Sequence, residues 1–137
     1  MSPVVSLECR VSEKGLHEIT SLVSDEVARL GLAEGLCTLS IPHTSASLLI
    51  QENADPSVQR DLERWLDRLV PEEDSLYTHT SEGPDDMPAH IKASLTATSL
   101  AIPIVGGRLA LGTWQGIYLW EHRRLGSTRR CAVHIGA

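Results

Sequence analysis

The chain has 137 residues, of which 42% are hydrophobic and 22% are charged, a composition typical of a folded globular protein and not of a disordered or fibrous one. Its formal net charge of −6 argues against a general nucleic-acid-binding protein. A chain of this length can bury roughly two thirds of its unfolded surface, so we expect one hydrophobic core in a single domain over residues 1–137.

The apolar segments and the cysteines indicate the cellular location of the protein. No apolar run reaches the roughly 20 residues that a membrane span requires, and the first residues lack the basic segment and apolar core of a secretory signal. Cys9, Cys37 and Cys131 are odd in number and far apart, which matches neither a disulfide framework nor a Cys-x-x-Cys zinc site. We therefore expect three small core residues in a cytoplasmic protein without a membrane partner.

The first half of the chain predicts a strand, a helix and two further strands. Apolar and polar residues alternate over residues 4–11, which indicates a strand with one solvated face. Over residues 17–30 the apolar spacing becomes helical, and Gly31 is placed to end this helix. Two short strands are predicted at 36–41 and 46–51, on either side of a break that contains a histidine.

The next helix has a strong start signal. Asp55 can accept hydrogen bonds from the free amides of a first turn, and Pro56 is tolerated at the first helical position. The helix is predicted to run to about Val70. Because its apolar residues follow helical spacing, Trp65 is predicted to lie in the core rather than in a ligand site. These apolar residues are Val58, Leu62, Trp65, Leu66 and Leu69.

The second half of the chain predicts a long loop, a short helix and a group of strands. Residues 71–88 are polar and rich in proline, which is typical of a functional loop. A short helix is predicted at 88–95, and Gly106-Gly107 predicts a tight hairpin turn. Strands are predicted at 99–105, 108–121 and 130–135, and they would form a meander. The order of elements predicts an α+β fold in which helices pack on one face of a mainly antiparallel sheet.

A histidine and carboxylate group in the long loop suggests a metal site. Asp86 and His90 are four residues apart and share one face if the helix begins near Asp86. The carboxylate can then orient the imidazole, and His79 can complete a site for a divalent ion. The alternative is that Asp85 or Asp86 caps the helix while His90 is a surface residue.

Polar residues in two strand regions form further candidates. Glu52 and Asn53 lie where a strand meets a helix N-terminus, a place suited to anions. Gln115 shares an apolar strand face with Glu121 and needs a partner there, whether backbone, subunit or ligand. Six residues of extended strand span about 20 Å, so Gln115 and Glu121 join one site only where subunits meet.

The end of the chain is basic, although the protein as a whole is acidic. Residues 101–137 contain five arginines and a single acidic residue. Guanidinium groups match phosphate oxygens in a bidentate way, so this segment can form a phosphate-binding face. A solvated hairpin and ion pairs to the acidic remainder of the chain are the alternatives. The arginines are Arg108, Arg123, Arg124, Arg129 and Arg130.

Taken together, these motifs resemble the signature of the YjbQ family. The matching motifs are His43-Thr-Ser-Ala, Glu52-Asn53-Ala-Asp55, His79 with Gly83-Pro-Asp-Asp86 and Ala89-His90, Ile102-Pro-Ile, and Leu111-Gly-Thr-Trp-Gln115 with Glu121. The resemblance implies a small α+β protein that forms a cyclic trimer. It also implies secondary thiamine-phosphate synthase activity, in which a hydroxymethylpyrimidine diphosphate is joined to a thiazole phosphate and pyrophosphate is released.

On this basis the candidate residues are given roles. We predict that a divalent ion, Mg²⁺ or Zn²⁺, is held without any organic cofactor, and that the substrate is a phosphorylated small molecule. A metal-dependent hydrolase and a trimeric binding module without catalysis are the alternative functions. The predicted catalytic residues are His43, Glu52, His90, Gln115 and Glu121, the substrate-binding residues are Asn53, Arg123 and Arg129, and the metal ligands are His79, Asp86 and His90.

Overall fold

The computed structural model describes residues 4–137 and contains six strands and three helices. The strands are β1 (Val4–Glu18), β2 (Glu34–Ser40), β3 (Ala46–Glu52), β4 (Ser99–Val105), β5 (Arg108–Leu109) and β6 (Gln115–Gly136). The helices are α1 (Thr20–Leu30), α2 (Pro56–Leu69) and α3 (Asp86–Leu95).

The 22-residue strand β6 organises the sheet. On one edge it pairs with β1 along almost its whole length, from Val4↔His134 to Glu18↔Tyr118. On the other edge its first part pairs with β3 and its last part pairs with β2. All of these pairings are antiparallel, and β4 and β5 continue the sheet beyond β2. The middle of β6 is therefore left open on the edge between β2 and β3.

The middle of β6 also bends against β1. Gly15 pairs with Glu121 and Glu13 pairs with Leu125, so β6 uses four residues where β1 uses two. Gly126 follows this bulge directly, and a Cβ atom there would collide with the carbonyl oxygen of Val11. Extra residues in one strand increase its local bend. The bulge therefore bends β6 at its open middle.

Two clusters of apolar side chains support the sheet. The main core contains the three free cysteines, Val23 and Val27 of α1, and alternate residues of β6 such as Leu119. A second cluster contains Leu66 of α2 and Val70, which follows this helix, together with Trp120. Since Leu119 and Trp120 are neighbours in a strand, the helices are divided between two sides of β6 and do not all pack on one face, as the sequence had predicted.

Most predicted elements are confirmed, together with the α+β class and the mainly antiparallel sheet. Gly31 ends α1 in the left-handed conformation, with φ 66°. Asp55 caps α2, because its side chain accepts a hydrogen bond from the backbone N–H of Ser57. Gly106 and Gly107 have φ values of 60° and 78° at the predicted hairpin turn. Helix caps and tight turns depend on a few neighbouring residues, which is why they could be predicted from the sequence.

Several boundaries were wrong because long-range pairing overrides local pattern. The first helix begins at Thr20 and not at residue 17, because residues 16–18 pair with β6. Residues 110–114 are a loop and not part of a strand. The expected break near residues 122–129 is absent, because pairing with β1 resumes at Leu125 after the bulge and makes one strand.

The prediction that Trp65 is a core residue was also wrong. Its side chain is 51% exposed, and the neighbouring apolar Leu69 is 53% exposed. Helix α2 uses Leu66 as its buried residue, so the apolar stripe is wider than the surface it covers within one chain.

In residues 4–137, no helix is both long and apolar enough to cross a bilayer.

We expect the protein to be a homotrimer in solution, with a mass about three times the 14.9 kDa of one chain. The family resemblance and the exposed apolar side chains of Trp65, Leu69 and Trp114 motivate this prediction. Gln115 no longer contributes to it, because its side-chain oxygen accepts a hydrogen bond from the Gly112 backbone N–H. Light scattering at micromolar concentration measures the mass directly, and a monomer would contradict the prediction.

Candidate functional site

Residues 41–45 connect β2 to β3 and cross beside the open middle of β6. The backbone N–H of His122 donates to the carbonyl oxygen of Ser45 at 3.2 Å. The N–H of Arg130 donates to Nε2 of His43 at 2.9 Å. These bonds satisfy backbone groups of β6 that lie between its pairings with β3 and β2. The crossing is thereby held against β6 and forms one wall of the candidate site.

A buried ion pair lies behind this wall. Glu121 is fully buried and Arg129 is 8% exposed. Arg129 donates from Nε to Glu121 Oε1 at 2.7 Å and from Nη2 to Oε2 at 2.5 Å, a bidentate arrangement. Its Nη2 also donates to the Ser45 hydroxyl at 2.9 Å, and the Arg123 backbone N–H donates to Glu121 Oε2 at 3.2 Å. The pair therefore links two parts of β6 to the crossing.

The two histidines and the carboxylate predicted to bind metal are brought together. Helix α3 begins at Asp86, so Asp86 and His90 lie one turn apart on the same face, and His79 approaches from the preceding loop. Asp86 Oδ2 lies 2.7 Å from His79 Nε2 and 3.1 Å from His90 Nε2. One ligand atom from each residue lies within 4.8 Å of the others. The other carboxylate oxygen accepts a hydrogen bond from Arg123 Nη1 at 2.6 Å.

The surroundings of His90 determine which of its nitrogens carries a proton. Nδ1 lies 3.0 Å from the Thr44 carbonyl oxygen, which can only accept, so Nδ1 must donate. In the neutral ring, Nε2 then presents a lone pair toward the carboxylate oxygen of Asp86. Two lone pairs facing each other repel, and a cation between them relieves this repulsion. A backbone carbonyl that orients the far nitrogen is the arrangement found around metal-bound histidines.

Both aspartates at the start of α3 are held as carboxylates. Burial tends to raise the pKa of Asp86, but the hydrogen bond from His79 and the positive charge of Arg123 outweigh it and lower the pKa below its ordinary value. Burial likewise acts against Asp85, whose pKa is nevertheless lowered by hydrogen bonds from the backbone of Arg124 and the side chain of Arg123. Asp86 is thus available as an anionic ligand at neutral pH.

A polar pocket of about 690 Å³ opens next to this cluster. Arg123 is engaged by both aspartates, whereas the side chain of Arg124 is 59% exposed and pairs with Glu72 at the surface. Nearby, burial and the charge of Arg129 lower the pKa of His43, so this ring is neutral at neutral pH. The residues that line the pocket include Ser45, Gly83, Asp85, Arg123, Arg124 and Arg129.

Three of the predicted site residues lie elsewhere. Glu52 and Gln115 pair with each other at the far end of β3, six residues and about 20 Å along the strand from the Glu121 end. Asn53 donates to the side chain of Glu18 at 3.0 Å. Within one chain, Glu52, Asn53 and Gln115 therefore do not join the histidine cluster, and their predicted roles depend on a second subunit.

Other site residues carried no signal in the sequence. Thr44 acts through its backbone carbonyl group, which any residue type supplies, and Ser45 acts through its backbone carbonyl and its hydroxyl. Asp85 looked like a helix cap, but its side chain makes no capping bond and binds two arginines instead. His122 is 2% exposed, and its Nε2 lies 2.8 Å from the hydroxyl oxygen of buried Ser47. Only tertiary contacts reveal these roles.

The fold and the cluster together define a class: a small α+β protein whose antiparallel sheet supports a His–Asp–His group beside an arginine-lined pocket. Residues 6–137 match the family model described as UPF0047 protein YjbQ-like, and the chain belongs to this family. The expected resemblance is thus confirmed.

Relatives with known sequences span most of this chain. The UPF0047 protein sll1880 of Synechocystis sp. is 54% identical over 122 residues, which cover 89% of this chain and 83% of that protein. The UPF0047 protein YjbQ of Escherichia coli O157:H7 is 44% identical over 126 residues and 91% of each chain. These names specify a family and not a reaction.

Solved structures share the fold. An uncharacterized conserved protein of the yjbq/upf0047 family from Clostridium acetobutylicum has a TM-score of 0.88 and 39% identity, over 96% of this chain and 99% of that chain. The conserved hypothetical protein TT1486 from Thermus thermophilus has a TM-score of 0.86 and 36% identity over the same shares. The arrangement of strands and helices described above is therefore that of the family.

Breaking the buried pair should destabilise the protein strongly. Glu121→Gln leaves the Arg129 guanidinium buried without its counter-charge, and we expect the free energy of unfolding to fall by about 3–5 kcal/mol in urea titrations. The double variant Glu121→Leu/Arg129→Met removes both charges and should recover most of this loss. Arg130→Ala, at the exposed neighbouring position, is the control and should change stability by less than about 0.5 kcal/mol. Equal losses in single and double variants would contradict the interpretation.

Stability should depend on pH through His122. Burial, together with the charges of Lys92 and Arg129, lowers the pKa of His122 from 6.5 to about 3. Between these values the unfolded chain binds more protons than the folded one, so stability falls as the pH drops below 6.5. One such group contributes a slope of at most about 1.4 kcal/mol per pH unit. Thermal melts at neutral pH and at about pH 5 should show a smaller difference for His122→Gln than for wild type or for the exposed-site control His134→Gln.

Proposed function

We propose that the protein is a divalent-metal-dependent enzyme that acts on a phosphorylated small molecule. The observation that carries this proposal is the group formed by His79, Asp86 and His90, in which three ligand atoms lie within 4.8 Å of one another. The hydrogen bond from His90 Nδ1 to Thr44 adds to it, because it leaves Nε2 free to bind a cation.

The donor set favours a particular kind of ion. Two imidazoles and one carboxylate suit Zn²⁺ or a similar transition metal, whereas Mg²⁺ prefers oxygen ligands and retains several waters. The side chains of His79 and His90 are 46% and 31% exposed, so an ion and a substrate can both reach the group. When bound, such an ion supplies charge stabilisation for a phosphate oxygen or activates a water molecule.

The arginine-lined pocket supports a phosphorylated substrate. Surface ion pairs contribute little free energy, so the exposed pair of Arg124 with Glu72 can be exchanged for a bidentate contact with phosphate. Arg129 is engaged by Glu121 and Ser45, and it acts by holding the pocket wall. Arg123 keeps Asp86 anionic and faces the pocket, so it connects the phosphate region with the histidine group.

The reaction implied by the family resemblance is thiamine phosphate synthesis. In that reaction, the bond between the pyrimidine methylene carbon and the diphosphate oxygen breaks, and the pyrophosphate leaves with the electron pair. A bond forms between the same carbon and the thiazole nitrogen. Arg123 and Arg124 line the pocket, and in this proposal they stabilise the negative charge on the departing diphosphate. His43, whose Nε2 already accepts from Arg130, carries its proton on Nδ1 and is therefore a hydrogen-bond donor.

A metal-dependent hydrolase is the second candidate. Two histidines and one carboxylate, with positions left for water, are the ligand set of several hydrolytic zinc enzymes. In this reaction, water attacks phosphorus, a P–O bond breaks and the alcohol leaves with a proton. The same residues serve both reactions, so the products decide between them.

We expect the purified protein to contain close to one metal ion per chain, as measured by elemental analysis. His79→Ala and His90→Ala should each lose most of this metal, because each removes one of three protein ligands. His134→Ala, at an exposed position of β6, is the control and should retain it. Metal content that is unchanged by both ligand substitutions would overturn the proposal.

The same proteins should then be assayed with hydroxymethylpyrimidine diphosphate and thiazole phosphate. Synthase activity predicts thiamine phosphate and pyrophosphate in equal amounts, and a loss of at least about 100-fold in His90→Ala with little change in melting temperature. Release of inorganic phosphate without thiamine phosphate would indicate the hydrolase instead. Metal binding without either product would leave a binding module.

A further inference from the structure

A second pocket lies on the side of β6 that carries Trp120 and His122, away from the histidine group. It has a volume of about 250 Å³, is open to solvent, and is lined by β1 at Gly15, by α2 and by α3. Its charged lining consists of Lys14, Arg60, Glu63, Arg64, Asp67 and Lys92. None of these residues belongs to the site described above.

The centre of this pocket is a buried ammonium group. Lys92 is only 3% exposed, and its Nζ donates to Asp67 Oδ1 at 2.5 Å. Lys14 donates to the same oxygen at 3.2 Å. Burial alone tends to raise the pKa of Asp67, but the two lysines lower it, so Asp67 is a carboxylate. An ammonium group has three protons to donate. Lys92 donates one of them to Asp67 Oδ1, an oxygen that also accepts a hydrogen bond from Lys14.

The remaining charges leave the pocket positive. Glu63 Oε2 accepts a hydrogen bond from the Leu16 backbone N–H at 2.7 Å, beside the Gly15 bulge, where any Cβ would collide with this carboxylate. Among residues 4–137, no carboxylate forms an ion pair with Arg60 or Arg64. Four cationic side chains therefore face two carboxylates, which leaves a formal charge of +2.

The uncharged residues of the lining further restrict the kind of ligand that fits this pocket. Trp120 is 4% exposed, and its ring packs against that of His122 with centroids 5.6 Å apart. Burial together with the nearby lysine charges keeps the pKa of His122 low, so this ring adds no charge. Buried charges are costly unless they are compensated. A compact dianion that enters between the lysines and the arginines balances the formal charge of +2 on the lining.

We infer that this pocket binds a phosphate group, either as inorganic phosphate or as the end of a small phosphomonoester. The inference rests on the geometry of α2, α3 and β1, and it does not depend on metal binding or on the reaction at the other site. The small volume excludes a whole nucleotide, although the group that carries the phosphate can extend into solvent past Arg60 and Arg64.

The test uses the indole N–H signal of Trp120 in two-dimensional NMR spectra of the full chain. Titration with inorganic phosphate should shift this signal to saturation by about 10 mM, where a site of millimolar affinity is nearly filled. A parallel titration with phenyl phosphate distinguishes free phosphate from a phosphomonoester, because the tighter of the two identifies the source. No shift with either compound would overturn the inference.

Variants separate this site from the arginine pocket near the histidine group. Arg64→Gln should weaken binding about 5- to 10-fold by removing one charge-assisted contact, and Lys92→Met should abolish the shift. Arg68→Gln, on the same helix but outside this pocket, and Arg124→Gln, in the other pocket, should leave the titration unchanged. If Lys92→Met does not fold, the phosphate titration of the double variant Arg60→Gln/Arg64→Gln tests the inference instead. A shift that survives this double variant would also overturn the inference.

Discussion

The buried pair between Glu121 and Arg129 is the interaction on which the candidate site depends. Eight residues of straight strand would separate the two positions by about 26 Å, yet their side chains make bidentate contact. β6 must therefore bend between them, and the four-against-two bulge opposite β1 provides the bend. The pair fixes the bend, and through the Ser45 hydroxyl it also fixes the crossing between β2 and β3.

The consequences extend from that crossing to the histidine group. The Thr44 carbonyl, next to Ser45, determines which nitrogen of His90 carries a proton. The Arg123 backbone binds Glu121 while its side chain keeps Asp86 anionic. A single ion pair in the low-dielectric interior therefore supports the geometry and the protonation of His90 and Asp86, which lie outside the pair. Buried ion pairs are weak contributors to net stability, and in some proteins they select one arrangement of the chain over others.

Helix α3 connects the two sides of the molecule. Asp86 and His90 face the candidate metal site, while Lys92 is buried against Asp67 on the side of the second pocket. Residues two apart on a helix point in different directions, so a short segment serves two environments of different charge. The first presents the carboxylate of Asp86, which suits a cation, and the second has a formal charge of +2, which suits an anion. Each is built from a buried charge whose neighbours compensate it only in part.

The sequence by itself determined the elements whose causes are local. Asp55-Pro56 started α2, Gly31 ended α1, and the spacing of Asp86 and His90 put both on one helical face, because capping, positive φ and helical period involve residues close in the chain. Only the tertiary structure decided that β6 is one bent strand, that Trp65 is exposed and that Glu121 pairs with Arg129. These features depend on residues that are distant in the sequence, and β1 and β6 pair across more than 100 residues. Pairing with a distant strand produces no periodic pattern in the sequence of the strand that it stabilises.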